Sequence, residues 1–460
     1  MSHAAGRYAA PLRLVPVVLA CVGGFVASRA LPLAASELRM TPIVKAVQAA
    51  RPSVVNIRGE KTLAAASRSA GVEADRRVNG MGTGIVIDER GYILTNHHVV
   101  DGVHEIEVTL HDGVRRIARL VAHDVKTDLA IIKIDASTSL QVINIGTSGD
   151  LLTGETVIAV GNAYGYEHTV TRGIISALHR SVEVGEGQRY DDLIQTDASI
   201  NPGNSGGPLL NIDGEMIGVN VAVRAGAQGI GFAIPVDRAM QIAAELLSAR
   251  RVNNLWLGVV TRKQRGDQHG VAVDDFEEAS PASASQLAVG DVIVAVDGRS
   301  VNRRLDLERA LLDHHSGDDV ELVVRRDGQK VSVPLRLATV PEDRRKTDDP
   351  VWETLGLELK AVSPARFRQF ESGYRGGLSV VAVRPNSPAA KQGIRSGDVL
   401  VGMHVWETVS LDHVRWVLNR GDFDQFDPVK FYILRGNETL YGHMTVSLQN
   451  ERAAATQNRR

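Results

Sequence analysis

Cysteine occurs once in the 460 residues, at Cys21, so the chain has no internal disulfide, and its body offers neither a thiolate nucleophile nor a cysteine metal cluster. The fold must therefore hold together by burial. Aromatic residues make up only 4% and give no obvious interface signature. A formal net charge of -2 provides no basic field to gather DNA, RNA or anionic lipid, which argues against a nucleic-acid partner. The N-terminal apolar run, Leu12 to Val26, falls short of the roughly 20 residues a membrane span needs.

What is present is ordinary for a folded body: 43% apolar and 23% charged residues, in a chain long enough for about three domains. Arg7 and Arg13 flank or enter the apolar run, and small residues follow at Ala27, Ala30, Ala34 and Ala35. This pattern over residues 1–36 reads as an export signal, with cleavage favoured over retention as a membrane anchor. Either way the body is expected outside the cytoplasm, as an exported protein of the cell envelope. Val18-Leu19-Ala20-Cys21 distantly resembles a lipoprotein cleavage site, although a small residue inside a signal core is the plainer reading.

From Thr41 to about Leu246, short apolar runs are broken by Gly, Asn and Asp. Val54 to Ile57, Gly84 to Ile87, Ile106 to Leu110, Ala130 to Ile134 and Met216 to Val221 each suit a strand, which predicts an all-β sandwich or barrel. Helical spacing is confined to Ile43–Ala50 and Val236–Arg250. Beyond Arg251 two stretches align as a degenerate repeat. The first runs from Leu257-Gly258-Val259 through Ser280-Pro281-Ala282 to Gly290-Asp291, and the second from Leu355-Gly356-Leu357 through Ser387-Pro388-Ala389 to Gly397-Asp398. A polar linker separates them, and residues 448–460 read as a disordered tail.

Chemistry concentrates in three places. Around Ser205, the run Asn201-Pro202-Gly203-Asn204-Ser205-Gly206-Gly207 combines a hydroxyl with glycines that let main-chain N–H groups face a developing oxyanion. A Gly-rich turn of no catalytic meaning has the same local look. Thr95-Asn96-His97-His98-Val99-Val100 and Thr127-Asp128-Leu129-Ala130 each put polar residues at a strand end, so that the chain order His, Asp, Ser is one known solution for a catalytic triad. The adjacent His97 and His98 suggest a metal only weakly, because neighbours on extended backbone point apart and no cysteine or matching His/carboxylate pattern completes a site. Asp124 competes with Asp128 for the acid role, and Asp197 reads as a loop brace.

The TNHHVV, TDLA and GNSGGP segments resemble the three catalytic motifs of the HtrA/DegP-type serine endoproteases, and the resemblance extends over nearly the whole chain beyond the signal. It implies a mainly β architecture: a trypsin-like double β-barrel protease domain at 40–250, small α+β PDZ-like domains at 253–338 and 351–447, and a linker at 339–350. Position by position, the base falls on His98 rather than His97, the orienting acid on Asp128 and the nucleophile on Ser205. The oxyanion donors fall on the N–H groups of Gly203 and Ser205, with Asn204 a further candidate. No cofactor and no metal are called for.

Further expectations follow from that resemblance. Asn204 stands where cleavage-activated relatives carry an acid, so control by loop ordering is expected in place of zymogen cleavage. The pocket formed by Asn220 to Val223 and Gly229 to Phe232 contains no acid, which predicts cutting after small or medium aliphatic residues. The modules are expected to bind C-terminal peptides as an added strand, with backbone N–H groups around Leu257, Gly258 and Val259, or Leu355, Gly356 and Leu357, capturing the carboxylate. Met403-His404-Val405-Trp406 departs from the usual acidic turn, so the two modules are expected to differ. Substrates would be unfolded or damaged proteins, and the assembly a homotrimer or larger homo-oligomer. The competing class is a proteolytically silent binding protein.

Overall fold

The structure, a computed structural model, describes residues 39–63, 76–161, 169–184, 188–201, 203–221, 229–261, 269–341, 349–370, 372–418, 423–436 and 438–446. The segments read from the sequence as an export signal and a tail, and the centre of the one read as a linker, lie outside these residues. Among the described residues no helix is long and apolar enough to cross a membrane.

The chain opens with helix α1 (Pro42–Ala50), whose Thr41 hydroxyl accepts from the Val44 N–H and whose Pro42 supplies a fixed φ at the first helical position. Six strands then close a first barrel in the order β1-β2-β3-β6-β5-β4. They are β1 (Val54–Leu63), β2 (Arg76–Asp88), β3 (Tyr92–Asn96), β4 (Val103–Thr109), β5 (Arg115–Asp124) and β6 (Leu129–Ile134). Between β3 and β4 lies a single helical turn, α2 (His97–Val100). A second barrel closes as β10-β11-β12-β9-β8-β7. Its strands are β7 (Thr156–Gly161), β8 (Thr169–Val184), β9 (Gln188–Thr196), β10 (Pro208–Leu210), β11 (Met216–Val221) and β12 (Gly231–Pro235). Helices α3 (Val236–Leu246) and α4 (Ala249–Asn253) follow.

The apolar runs of the barrel strands reflect two burials at once. Along β6, Ala130, Ile132 and Ile134 fill the first barrel with Val55, Val86 and Ile93. Leu129 and Ile131 point the other way, into a cluster that Ile85 and Leu94 share with Ile158, Val160 and Val219 of the second barrel. Alternate side chains thus serve the barrel interior and the seam between barrels, so strict polar/apolar alternation is lost.

Beyond α4 come β13 (Leu255–Trp256), β14 (Val259–Thr261), β15 (Val271–Phe276), β16 (Val292–Val296), β17 (Arg299–Ser300), α5 (Arg304–Leu311), β18 (Asp319–Arg326), β19 (Gln329–Arg336) and β20 (Ala338–Thr339). The last part holds α6 (Pro350–Thr354), β21 (Leu357–Ala361), α7 (Pro364–Phe367), β22 (Leu378–Val383), α8 (Pro388–Lys391), β23 (Val399–Met403), β24 (Trp406–Glu407), α9 (Leu411–Leu418), β25 (Val429–Arg435) and β26 (Glu438–Met444). The sheets β14-β15-β16-β18-β19 and β21-β22-β23-β25-β26 have the same order, with β17 and β24 pairing the central strand of each. Their fastenings match as well. Asp291 makes a two-pronged pair with Arg326 at 2.7 Å, and Asp398 does so with Arg435 at 2.8 Å. Gly258 and Gly356, at φ of 80° and 74°, leave room for Ser280 and Ser387 that a Cβ would fill. At the departure noted in the second module, His404 stacks on Phe426 with ring centroids 4.3 Å apart, so the replacement joins an aromatic cluster with Trp406.

The first module docks on the first barrel through a buried carboxylate. Asp88, 1% exposed, accepts from Arg90 N and Nε at 2.9 and 2.7 Å, and from Arg309 Nε of α5 at 2.8 Å. Burial opposes ionisation of Asp88, but the hydrogen bonds from Arg90 and Arg309 outweigh it and lower its pKa to about 2. A depressed carboxylate pKa contributes stability that is complete above the unfolded value, 3.8, and is lost as pH falls through about 2. The contribution is about 2 kcal/mol. In urea titrations of protein carrying Ser205→Ala, the Asp88→Asn form is expected to be less stable near neutral pH, with the gap shrinking between about pH 4 and about pH 2. A gap independent of pH would contradict this role.

Candidate active site

His98 sits in α2 at the end of β3, and Asp128 in the turn before β6. The two meet because β3 and β6 are paired neighbours, with Asn96 opposite Leu129. His98 Nδ1 lies 2.6 Å from Asp128 Oδ2, and the His98 main-chain N–H donates to Oδ1 at 2.8 Å. The Asp128 carbonyl accepts from His97 N at 2.9 Å and from the Asn96 side chain at 3.0 Å. Asp128 adopts φ of 56°, a left-handed conformation that aspartate tolerates better than most residues. Asp124, the rival acid, supports that turn by accepting from Thr127 N and Oγ1 at 3.2 and 2.5 Å. Asp197 braces β8 by accepting from Ile174 N at 2.7 Å.

A third donor to Asp128 comes from the second barrel. Tyr190 of β9 donates its hydroxyl to Oδ2 at 3.0 Å. Burial first, and then the charge of Asp128 and its hydrogen bond, hold the phenol well above its ordinary pKa, so it stays a donor. Sequence reasoning missed Tyr190. The available signal was one aromatic in an otherwise polar Gln188-Arg189-Tyr190-Asp191 run of an aromatic-poor chain.

Ser205 enters from the second barrel, and main-chain contacts stitch its loop to the first. Thr83 N donates to Ser205 O at 2.9 Å, and Thr83 Oγ1 to Gly203 O at 2.7 Å. Gly206, at φ of 81°, approaches so closely that a Cβ would collide with Thr83 O and Thr95 Oγ1 and lie 3.0 Å from Asn96 N. The nucleophile candidate is therefore held against the strand that runs into His98. Gly203 adopts φ of 105°, open to glycine and costly for other residues. Asn204 behaves differently from its expected part in the oxyanion hole. Its N–H donates to Asn201 O at 2.9 Å within the loop, and its side chain reaches Ser199 O at 3.3 Å.

Of the pocket positions, Asn220, Val221 and Phe232 are buried on the paired strands β11 and β12. Ala222 and Val223 lie outside the described residues. The two loops expected to capture a carboxylate differ. In the first module, Leu257, Gly258 and Val259 line a cleft of about 180 Å³ together with Leu307 and Leu311 of α5. In the second, Leu355 N donates to Val351 O at 2.9 Å and Gly356 N to Trp352 O at 3.0 Å, so α6 takes up both amides, while the Leu357 side chain is buried.

His97 meets His123 and His413, so a His-rich set exists that the spacing along the sequence did not suggest. Two points of the sequence argument are corrected. His97 and His98 sit on a helical turn rather than extended backbone, and the partners of His97 come from β5 and α9, remote along the chain.

Residues 82–219 match the trypsin-like peptidase domain family and residues 256–337 the PDZ domain family. A probable periplasmic serine endoprotease, DegP-like, from Halomonas elongata is 38% identical over 365 residues, covering 76% of this chain and 76% of that protein. One of the same description from Chlamydia trachomatis is 36% identical over 380 residues, covering 78% and 75%. A solved HtrA-type protease, AlgW with a decapeptide, is 34% identical, covering 65% of this chain and 99% of that one, with a TM-score of 0.39. The identity and the share of each sequence matched by these relatives establish that the chain belongs to the HtrA family of DegP-like periplasmic serine endoproteases, which sets a trypsin-like peptidase domain beside PDZ-type modules.

Proposed function

We propose that Ser205, His98 and Asp128 form the triad of this endopeptidase and that it cuts unfolded or damaged polypeptides of the periplasm after small or medium aliphatic residues. The observation that carries the reading is the carboxylate of Asp128, which is 1% exposed and faces His98 Nδ1 at 2.6 Å. In the proposed reaction His98 takes the Ser205 proton as the hydroxyl attacks the scissile carbonyl, then gives it to the leaving amine, while Asp128 fixes the tautomer and stabilises the imidazolium. Gly203 and Ser205 N–H groups receive the oxyanion. Asn204, whose N–H is engaged in the loop, is left out of that role. The proposed domain limits are those of the sequence reading, 40–250, 253–338 and 351–447.

The first module is the proposed peptide binder. Support comes from the cleft beside Leu257 to Val259 and from the engagement of Leu355 and Gly356 amides by α6 in the second module. Aliphatic specificity is supported by the absence of any acid at residues 220–223 and 229–232.

Digestion of unfolded β-casein, with cut sites read by mass spectrometry, tests the reading. Cuts after Val, Ala, Ile or Leu are expected, and a preference for Lys or Arg would contradict the pocket. Tyr190→Phe is a finer test of the triad's support. A hydrogen bond to a charged group contributes about 1.5 kcal/mol or more, so kcat is expected to fall about tenfold with KM unchanged. An unaltered kcat would remove Tyr190 from the account.

A further inference from the structure

His97 of α2, His123 of β5 and His413 of α9 bring three imidazoles together where the second module meets the first barrel. One ring nitrogen from each lies within 4.8 Å of the others. His97 and His123 stack with centroids 4.4 Å apart, and His413 stands 5.5 Å from His123 and 6.0 Å from His97. Two of the rings are nearly removed from solvent, His97 at 8% and His123 at 5% exposure.

His413 lies edge-on to His97 and tilted to His123. Ser410 Oγ lies 3.1 Å from both His123 Nε2 and His413 Nδ1, so its hydroxyl can donate to one ring and accept from the other. Asp101 stands 3.9 Å from His97 Nε2, too far for a direct hydrogen bond. Burial, followed by the neighbouring histidines, holds His97 and His413 down at about 4, and burial lowers His123 too. Three imidazole nitrogens gathered this closely are a donor set that suits a transition-metal dication.

We infer that His97, His123 and His413 form a binding site for a zinc-class divalent cation that fastens the second module to the first barrel. Tetrahedral coordination at 2.0–2.1 Å places ligand nitrogens about 3.4 Å apart, so side-chain rotation of an ångström or so closes the observed cluster onto an ion. An all-imidazole set selects zinc, copper or nickel over magnesium or calcium. Three histidines leave a fourth position, which Ser410 Oγ or a water fills, and Asp101 is placed to orient His97. Because His97 and His98 are consecutive on α2, the ion ties the helix that carries the base candidate to α9. The Arg251 to Asp412 pair at 2.6 and 2.7 Å already crosses the same junction from α4, so the ion would act on an interface that exists without it.

The test is a zinc titration by calorimetry on purified, untagged protein carrying Ser205→Ala, alongside the same protein with His413→Gln or His123→Gln. One zinc per chain is expected, with a raised thermal midpoint. Either substitution is expected to weaken binding at least about 100-fold, the upper range of what losing a mere hydrogen-bond partner of a ligand costs. Equal affinity in parent and variants, or no binding by the parent, overturns the inference. X-ray absorption of the zinc-loaded parent does not depend on the variants folding. Three imidazole nitrogens at about 2.0–2.1 Å support the site, and a shell dominated by carboxylate or water oxygen overturns it.

Discussion

The Ser205→Ala protein is expected to digest β-casein roughly 10⁶-fold more slowly than its parent while unfolding at nearly the same midpoint. The rate follows from losing the atom proposed to form the acyl-enzyme. The unchanged stability follows from how the loop is held: Thr83 N bonds the Ser205 carbonyl, Thr83 Oγ1 bonds that of Gly203, and Gly206 N bonds Asn220 O at 2.9 Å. All three acceptors are main-chain oxygens that alanine retains. Substantial residual cleavage would assign the nucleophile elsewhere, and a collapsed midpoint would mean that the hydroxyl itself holds the loop. The same variant separates protease from binding protein, because binding of unfolded chains should survive it.

Asp128→Asn is expected to lower kcat about 10⁴-fold with little change in backbone. The carboxylate faces three groups, the His98 main-chain N–H, His98 Nδ1 and the Tyr190 hydroxyl. An amide has one accepting oxygen. If that oxygen keeps the His98 N–H at the Oδ1 position, the new NH₂ faces Nδ1, which must then accept. The ring proton moves to Nε2, and the imidazole can no longer take a proton from Ser205. The pH-independent loss should appear in single-turnover kinetics as well as at steady state. A decrease below about tenfold would show that Asp128 does not set the tautomer.

The residues read from motifs and the residues found in space overlap in an instructive way. His98 and Asp128 were legible because each sits at the end of an apolar strand, and β3 and β6 are neighbours in the barrel. The runs at 54–57, 84–87, 106–110, 130–134 and 216–221 fall within or overlap β1, β2, β4, β6 and β11. The long hairpin of β8 and β9 was not legible, since Thr169–Val184 mixes Arg, His, Ser and Glu among its apolar residues without clean alternation. Helix α2 spans one turn, too short for periodicity to register. Tyr190 and the His123 and His413 partners of His97 were hidden for another reason. Their meaning lies in contacts between barrels and modules, which spacing along the chain does not encode. The two modules looked alike in sequence, yet only the structure shows α6 engaging the second loop's amides, because that requires Val351 and Trp352 to be helical.

The central claim is that Ser205 is activated by His98. Its most direct test is labelling with a fluorophosphonate in the presence of β-casein, followed by mass spectrometry of the modified peptide. The account predicts a single adduct on Ser205 that disappears in the His98→Ala protein; an adduct on another residue, or undiminished labelling of Ser205 without His98, would contradict it.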